Sequence, residues 1–157
     1  MSSRVIVAGV KIREARADDA AAVAMLLKEL GYPTNQEQAA FRLERLREER
    51  QTLVLIVEDV DGSVAALGGI RSELPLEYDE PWARVIALVV GEQHRGRGVG
   101  GQLLDALEAE AALRGCLAVT LTSGDHRHEA HAFYERRGYE ATGKRFAKSL
   151  SNFDQRS

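Results

Sequence analysis

Arg95-Gly96-Arg97-Gly98-Val99-Gly100 lies between an apolar run and a long segment rich in alanine, leucine and glutamate. The run before it, Val85 to Val90, is short and rich in β-branched residues, which predicts a strand buried on both faces. After the glycines, apolar residues return at the spacing of one helix face, at Leu103, Leu104, Leu107 and Ala111. This spacing predicts a helix that begins at about Gly98.

A second strand is predicted directly after this helix. Gly115 stands where the helix should end, because the residue after a helix often adopts the positive φ that glycine tolerates. Leu117 to Leu121 then predicts another buried strand, and the strand, helix and strand together predict a parallel pair joined by a right-handed crossover. The single cysteine, Cys116, is predicted to be a core thiol rather than a nucleophile.

The glycine turn has the chemistry of a phosphate site. A helix start presents about four backbone N–H groups without partners and a partial positive charge. Gly96, Gly98 and Gly100 remove β-carbons that would block an anion, and Arg95 and Arg97 add positive charge. The alternative is a tight connection in which the glycines serve packing alone. The Walker and dinucleotide-binding patterns do not fit, because no Lys-Ser or Lys-Thr follows and the glycines alternate.

Two motifs resemble the signature of the GNAT superfamily of N-acetyltransferases. Arg95, Gly98 and Gly100 resemble its Arg-x-x-Gly-x-Gly acetyl-CoA motif. Ala130 to Tyr139 resembles its second element, Ala-x-x-(Leu/Phe)-Tyr-x-x-x-Gly-(Phe/Tyr). The resemblance is strong from Val85 to Leu150 and architectural before that. It implies an α/β (α+β) fold with a mixed, mostly antiparallel twisted sheet, a central parallel strand pair and about four flanking helices.

The resemblance implies an enzyme that moves an acetyl group from acetyl-CoA directly to a primary amine, with acetyl-CoA as co-substrate and no metal. In the family, backbone N–H groups of the strand before the turn hold the acetyl and pantetheine portions. A β-bulge in that strand would free an N–H for the thioester oxygen. The residues implied to contact the cofactor are Leu88, Val89, Val90, Arg95, Gly96, Arg97, Gly98, Val99, Gly100, Arg127 and Tyr134.

The catalytic groups are only partly implied. Tyr134 corresponds to the family tyrosine near the sulfur and is expected to protonate the leaving thiolate, or else to be a core aromatic of its helix. Arg127 stands where many relatives have Asn, which leaves its cofactor contact open. The strand Val85 to Val90 carries no acid, so the general base is open among Glu73, a water chain and His126, with Glu73 preferred.

An acidic group precedes that strand and predicts a preference for cationic acceptors. Its members are Glu73, Glu77, Asp79 and Glu80. Their carboxylates are expected to attract a cationic amine, and burial beside Tyr78 or Trp82 would raise the pKa of one of them. The alternative is a solvated loop without a role. The neighbouring histidines His126, His128 and His131 lack the His-Glu-x-x-His spacing of a zinc site, so no metal is predicted.

The N-terminal half predicts a strand, two helices and a hairpin. Residues 1–10 are expected to be a loose extension or an added edge strand, and Lys11 to Arg16 is expected to be the first strand of the fold. Asp18 or Asp19 and then Thr34 or Asn35 are candidate caps of the two helices. The hairpin joins Leu53 to Val57 with Val64 to Ile70 through Asp61-Gly62.

The C-terminal part predicts one more helix and two strands. His128 to Arg137 is expected to be a short helix that ends at Gly138. Tyr139 to Leu150 is expected to form two final strands, with Phe146 and Leu150 in the core. The whole chain, residues 1–157, is predicted to be a single acetyltransferase domain.

Composition excludes several classes of partner. The formal net charge is −3, which lacks the basic surplus of nucleic-acid binding proteins. No apolar run approaches the roughly 20 residues of a membrane span, and no leader opens the chain, so a cytoplasmic protein without a membrane partner is predicted. The acceptor is a small-molecule or protein amine, and strand edges predict a possible homodimer. The alternative functions are a non-catalytic acyl-CoA-binding or sensor module and a structural domain.

Overall fold

The computed structural model describes residues 5–7 and 9–151, the first three of them by their backbone only. The chain divides into two compact units, Met1–Thr120 and Leu121–Ser157. Within the described ranges there are four α-helices: α1 (Ala20–Leu30), α2 (Gln36–Glu48), α3 (Val99–Leu113) and α4 (His128–Arg136). The same ranges contain six strands: β1 (Val5–Val7), β2 (Val10–Glu14), β3 (Thr52–Glu58), β4 (Val64–Glu73), β5 (Trp82–Val90) and β6 (Val119–Leu121).

The strands form one sheet in the order β1-β2-β3-β4-β5-β6, and β1 to β5 are successively antiparallel. The last pair is parallel, with Leu117 N donating to Pro81 O and Ala83 N donating to Ala118 O at 2.9 Å each. The predicted mixed sheet with one parallel pair is therefore confirmed. Val5–Val7 forms an added edge strand, whereas residues 1–4 and 8 of the predicted extension lie outside the described residues.

Local chemistry sets the helix limits. Asn35 caps α2, because its Oδ1 accepts from Gln38 N at 2.8 Å while Gln38 Oε1 accepts from Asn35 N at 3.0 Å; these reciprocal bonds form a capping box. Gly31 ends α1 with a φ of 109°, and Gly115 follows α3 with a φ of 78°. Both positions require the left-handed conformation that glycine adopts without strain.

Helices cover both faces of the sheet in the first unit. Residues of α1 and α2 pack with Ile56, Leu67 and Val89 in one apolar cluster. The residue that follows Leu67 on β4 is Gly68. A β-carbon at Gly68 would lie 3.0 Å from Leu103 Cδ2 and from Leu107 Cδ1, so α3 packs directly on that glycine. Because successive strand residues face opposite sides, α3 covers the face opposite to α1 and α2.

A buried ionic cluster joins β2, the start of α1 and β3. Arg13 and Asp19 are each 5% exposed, and Arg13 donates to both Asp19 oxygens at 2.8 Å and to Glu58 Oε2 at 2.8 Å. Burial opposes the ionisation of Asp19, yet the hydrogen bonds from Arg13 and from the backbone N–H of Arg16 hold its pKa below the ordinary value. Asp19 is the residue directly before α1, but its side chain makes no hydrogen bond that caps this helix.

Three burial predictions at β5 and β6 are wrong. Only Val85 and Val89 of the run Val85 to Val90 are buried. The second predicted strand shortens to Val119–Leu121, and Leu117 is 56% exposed. Cys116 is half-buried, with its Sγ 3.7 Å from Ser72 Oγ, rather than a core thiol. The reason is the position of β6 at the end of the strand order, where the described residues supply a neighbouring strand on one side only.

The prediction of two final strands over Tyr139 to Leu150 is also wrong. No regular secondary structure occurs between residues 139 and 150, which all lie within the described part. Phe146 is 90% exposed and Leu150 is 94% exposed, so neither belongs to a core. Lys144, Arg145 and Lys148 surround Phe146, which leaves no continuous apolar face to bury, and a strand needs a partner to satisfy its backbone.

Candidate active site

A β-bulge interrupts β5 at Ile86. The ladder pairs Gly69 with Ala87 and Ile70 with Val85, which leaves Ile86 as the extra residue. A β-carbon at Gly69 would lie 3.0 Å from Ile86 Cγ1 and 3.2 Å from Leu53 O, so glycine is what lets the partner strand accommodate the bulge. A bulge breaks the ladder locally and redirects backbone groups. It lies next to Leu88–Val90, the residues expected to hold the thioester.

The glycine turn ends in an open helix start. α3 begins at Val99, as predicted, and Gly96 and Gly98 have φ values of 78° and 77°. A β-carbon on either glycine would meet no described atom within 4 Å. The glycines are therefore needed for their backbone conformation, and the space beside them is open. Gly98, the residue before α3, has no side chain that could cap the helix, and the first turn carries no acid, so the partial positive charge of this helix start favours an anion.

The rest of the turn is held by hydrogen bonds from other elements. Gly91 N donates to Ala65 O at 2.8 Å. Glu92 N donates to Oε2 of Glu29 on α1 at 3.1 Å. The Nε of Arg95 donates to Val90 O at 3.1 Å, which places its exposed guanidinium beside the end of β5. Backbone and side chains thus fix the path from the bulged strand to α3.

Asp59, at the end of β3, binds two side chains of the turn. Its Oδ2 accepts from Arg97 Nη1 at 2.8 Å and lies 3.0 Å from His94 Nδ1, and its Oδ1 accepts from Arg97 Nη2 at 3.3 Å. The hydrogen bond from Arg97 is the main reason that the pKa of Asp59 lies well below its usual value. The same bond raises the pKa of Arg97. Arg97 is thus already paired with a carboxylate.

Sequence reasoning found neither Asp59 nor His94. The signal in the sequence was the hairpin, because Asp59 lies two residues before Asp61 of the Asp61-Gly62 turn and Ala66 pairs with Val90. An antiparallel ladder with that register places the hairpin end beside the residues that follow β5. Only the register of β3, β4 and β5 together reveals the contact.

The structure does not bring Glu73 to the predicted thioester position. Glu73 is the last residue of β4 rather than part of a loop, and it pairs with Trp82. Leu88 is six residues further along β5, a separation of roughly 20 Å at about 3.3 Å per residue. Glu73 Oε1 also accepts from Arg84 Nε at 2.9 Å. The acidic group therefore begins at the opposite end of β5 from the glycine turn.

The second unit holds the helix with Tyr134. Phe133 and Tyr139 contact the Tyr134 ring, with ring centroids 5.2 and 5.8 Å away. Burial raises the pKa of the Tyr134 hydroxyl, and the charge of Arg127 opposes that shift. α4 ends at Arg136, followed by Gly138 with a φ of 90°, as predicted. A neutral, half-buried phenol is a proton donor at neutral pH.

The histidines of the second unit form no evident metal site. The rings of His128 and His131 meet edge to face, with centroids 6.1 Å apart. Across residues 5–7 and 9–151, no group of three or more His, Cys, Asp or Glu side chains is arranged to hold a metal ion. In the same residues, no helix combines the length and apolar character required to cross a bilayer.

Comparison with known proteins shows which family the sequence matches. Residues 20–139 match the acetyltransferase (GNAT) family model, a range that includes both motifs. An aminoalkylphosphonate N-acetyltransferase from Salmonella typhimurium is 32% identical over 90 residues, 57% of this chain and 58% of that protein. The match thus spans less than two thirds of the relative's length.

Solved structures share the fold. A GNAT family acetyltransferase from Staphylococcus aureus is 26% identical and superposes with a TM-score of 0.75, covering 90% of this chain and 99% of the other. A glucosamine-6-phosphate N-acetyltransferase from Arabidopsis thaliana, 23% identical, has a TM-score of 0.76 at the same coverage of both chains. At that lower identity the likeness concerns the fold alone.

Proposed function

Because the chain belongs to the acetyltransferase (GNAT) family, we propose that it is an N-acetyltransferase that moves an acetyl group from acetyl-CoA to a primary amine. The observation that carries this proposal is the open start of α3 behind a bulged strand. Gly96 and Gly98 hold a positive φ, a β-carbon on either would meet no described atom within 4 Å, and Gly98 has no side chain to cap the helix. This arrangement suits the pyrophosphate of the co-substrate.

The cofactor contacts follow the path from β5 to α3. The backbone of Leu88, Val89 and Val90 would pair with the acetyl and pantetheine portions. The pyrophosphate would lie against the turn and the first turn of α3, at Arg95, Gly96, Arg97, Gly98, Val99 and Gly100. Arg127 would add positive charge toward a phosphate. Charge-assisted hydrogen bonds from backbone and arginine to phosphate oxygens are among the strongest that a protein makes.

The reaction is a direct transfer. The neutral amine attacks the carbonyl carbon of the thioester and forms a C–N bond. The C–S bond then breaks, and the electron pair of that bond stays on sulfur as a thiolate. An N–H freed by the bulge at Ile86 would stabilise the oxyanion. Tyr134 would then protonate the thiolate, and its raised pKa keeps that proton available at neutral pH.

The amine proton needs a separate acceptor. Glu73 remains the candidate from the sequence, but its ion pair with Arg84 and its place at the far end of β5 argue against it. No acid lies on β5. We therefore favour water as the carrier of this proton, with His126 as the remaining side-chain candidate.

For the acceptor we propose a small primary amine, with aminoalkylphosphonates first because the relative from Salmonella typhimurium is named for them. The acidic group around Glu73 favours a different acceptor, an amine that carries further positive charge rather than a negatively charged phosphonate. Thiol release from acetyl-CoA distinguishes the two when 2-aminoethylphosphonate, ethanolamine and a diamine of similar length are compared. A faster rate with the phosphonate supports the first class, and a faster rate with the diamine supports the second.

A second candidate function is an acyl-CoA-binding module without catalysis. The lack of an acid on β5 favours it, and binding of acetyl-CoA without amine-dependent thiol release would establish it. A homodimer and a cytoplasmic location stay predictions. A monomer mass that does not change with concentration in light scattering would contradict the homodimer.

A further inference from the structure

We infer that Asp59 is a positioning residue of the turn that binds the cofactor phosphates. Its carboxylate holds Arg97 and His94 at 2.8 and 3.0 Å, so that residues 94–98 have their bound conformation before the cofactor arrives. The inference rests on the proposed function, because it assigns a role within that cofactor site. It concerns affinity for the phosphates rather than the chemical step.

The Asp59 carboxylate is itself rigidly held. Asp59 N donates to Ser63 O at 2.8 Å, and Gly62 N donates to Asp59 O at 2.9 Å. The backbone N–H of Val60 donates to Asp59 Oδ1 at 2.8 Å. The residue is 9% exposed, although it follows the last residue of a strand. A buried carboxylate that is hydrogen-bonded within a hairpin has a defined position from which it can hold Arg97 and His94.

The turn needs such an anchor because of its composition. Arg97 stands between two glycines of positive φ, Gly96 and Gly98. Glycine has the widest backbone freedom of all residues, so a Gly-Arg-Gly segment loses much entropy when it is ordered. Two hydrogen bonds from one guanidinium to one carboxylate restrict both the side chain and the backbone that carries it. Without Asp59, that ordering would have to occur on binding.

Asp59 leaves Arg97 able to bind an anion. A guanidinium has five N–H donors, and the two hydrogen bonds to Asp59 use one donor on Nη1 and one on Nη2. Arg97 is exposed, with a side-chain exposure of 48%. The pair therefore orients Arg97 rather than removing it from the turn. A purely neutralising role for Asp59 predicts the opposite effect on binding.

The test is Asp59→Asn, with Asp61→Asn as the matched control. Asp61 lies on the same hairpin and accepts from Ser63 N at 2.9 Å. Its charge also acts on Arg97 through space, so Asp61→Asn controls for the loss of a nearby negative charge without the loss of the Asp59–Arg97 hydrogen bonds. Two thioesters are compared: acetyl-CoA, which carries the pyrophosphate, and S-acetylpantetheine, which lacks it. We expect Asp59→Asn to raise KM for acetyl-CoA about tenfold, the value of one charge-assisted hydrogen bond. kcat and the kinetics with S-acetylpantetheine should match those of Asp61→Asn.

Three outcomes would overturn the inference. Unchanged KM for acetyl-CoA would mean that Asp59 does not act on the turn. A lower KM would mean that it only neutralises Arg97. Equal losses with both thioesters would mean a general distortion of the fold. In an Arg97→Ala background, Asp59→Asn should have a much smaller effect, and a full tenfold loss there would contradict the role of Arg97.

Hydrogen exchange keeps the inference testable apart from the proposed function. In the ligand-free protein, Asp59→Asn should speed amide exchange in residues 94–98, while Asp61→Asn should not. Unchanged exchange would contradict positioning even if the wild type binds acetyl-CoA. If the wild type binds no acetyl-CoA, the proposed function fails while the exchange result still decides the role of Asp59. Asp59→Glu, which keeps the charge, serves if the asparagine variant does not fold, and should give a smaller change of the same sign.

Discussion

Gly98→Ala should strongly weaken cofactor binding while leaving the fold intact. The φ of Gly98 is 77° and its β-carbon would meet no described atom within 4 Å. The variant is therefore destabilised only by the backbone strain of an alanine in the left-handed conformation, about 1 kcal/mol. For a chain of this size that is roughly 2–4 °C in Tm. Near 25 °C most molecules would remain folded.

The effect on binding should be much larger. The added methyl projects into the space where the pyrophosphate would approach the N–H groups of α3. Loss of two charge-assisted hydrogen bonds at about 1.5 kcal/mol each gives roughly 3 kcal/mol, or about 100-fold in Kd. Titration calorimetry with acetyl-CoA measures this change directly.

Gly62→Ala is the matched control for strain. Gly62 lies in the β3–β4 hairpin with a φ of 84°, and its β-carbon would likewise meet no described atom within 4 Å. Both variants should lose the same stability in thermal unfolding, and only Gly98→Ala should lose affinity. Equal affinities in the two variants would refute the assignment of the turn as the phosphate site.

Three further predictions concern other groups. Tyr134→Phe should lower kcat about 100-fold or more with little change in acetyl-CoA affinity, and an unaltered kcat would leave Tyr134 a structural role. Because burial raises the pKa of Tyr134 above 10.0, its proton stays bound at neutral and mildly basic pH. A loss of kcat between about pH 7 and 9 that Tyr134→Phe abolishes would contradict that state. Asp19→Asn should destabilise the fold by about 3 kcal/mol in urea unfolding, since it leaves Arg13 buried without its main partner. The lowered pKa of Asp19 means that its contribution is present above the ordinary value of 3.8 and is lost as the pH falls through its folded value. A wild-type minus variant difference that does not shrink as the pH falls below 3.8 would contradict that sign.

The sequence predicted what local chemistry decides. Gly98, Gly115 and Gly138 each lie at or next to a helix end in a positive φ, and such positions are readable because few other residues adopt that conformation. The Asp61-Gly62 turn and the Asn35 cap are local in the same sense. The family motifs then linked these segments to one fold and one chemistry.

What the sequence did not predict depends on contacts between distant residues. Asp59 and Arg97 are separated by 38 positions, and only the register of the intervening strands brings them together. Glu73 seemed close to the reacting atoms because it precedes β5, yet the ladder places it opposite Trp82. Phe146 and Leu150 have apolar side chains, but the described part of the chain offers them no partner strand. Burial is decided by neighbours that no local pattern identifies.

Amine-dependent release of free thiol from acetyl-CoA tests the central claim most directly. With wild-type protein and a panel of small primary amines, we expect saturable thiol release and a product whose mass has gained one acetyl group. At an acetyl-CoA concentration below the wild-type KM, Gly98→Ala should lower the rate of release about 100-fold, while Gly62→Ala should retain it. Acetyl-CoA binding with no release for any amine would contradict the enzyme, and equal release by both glycine variants would contradict the site.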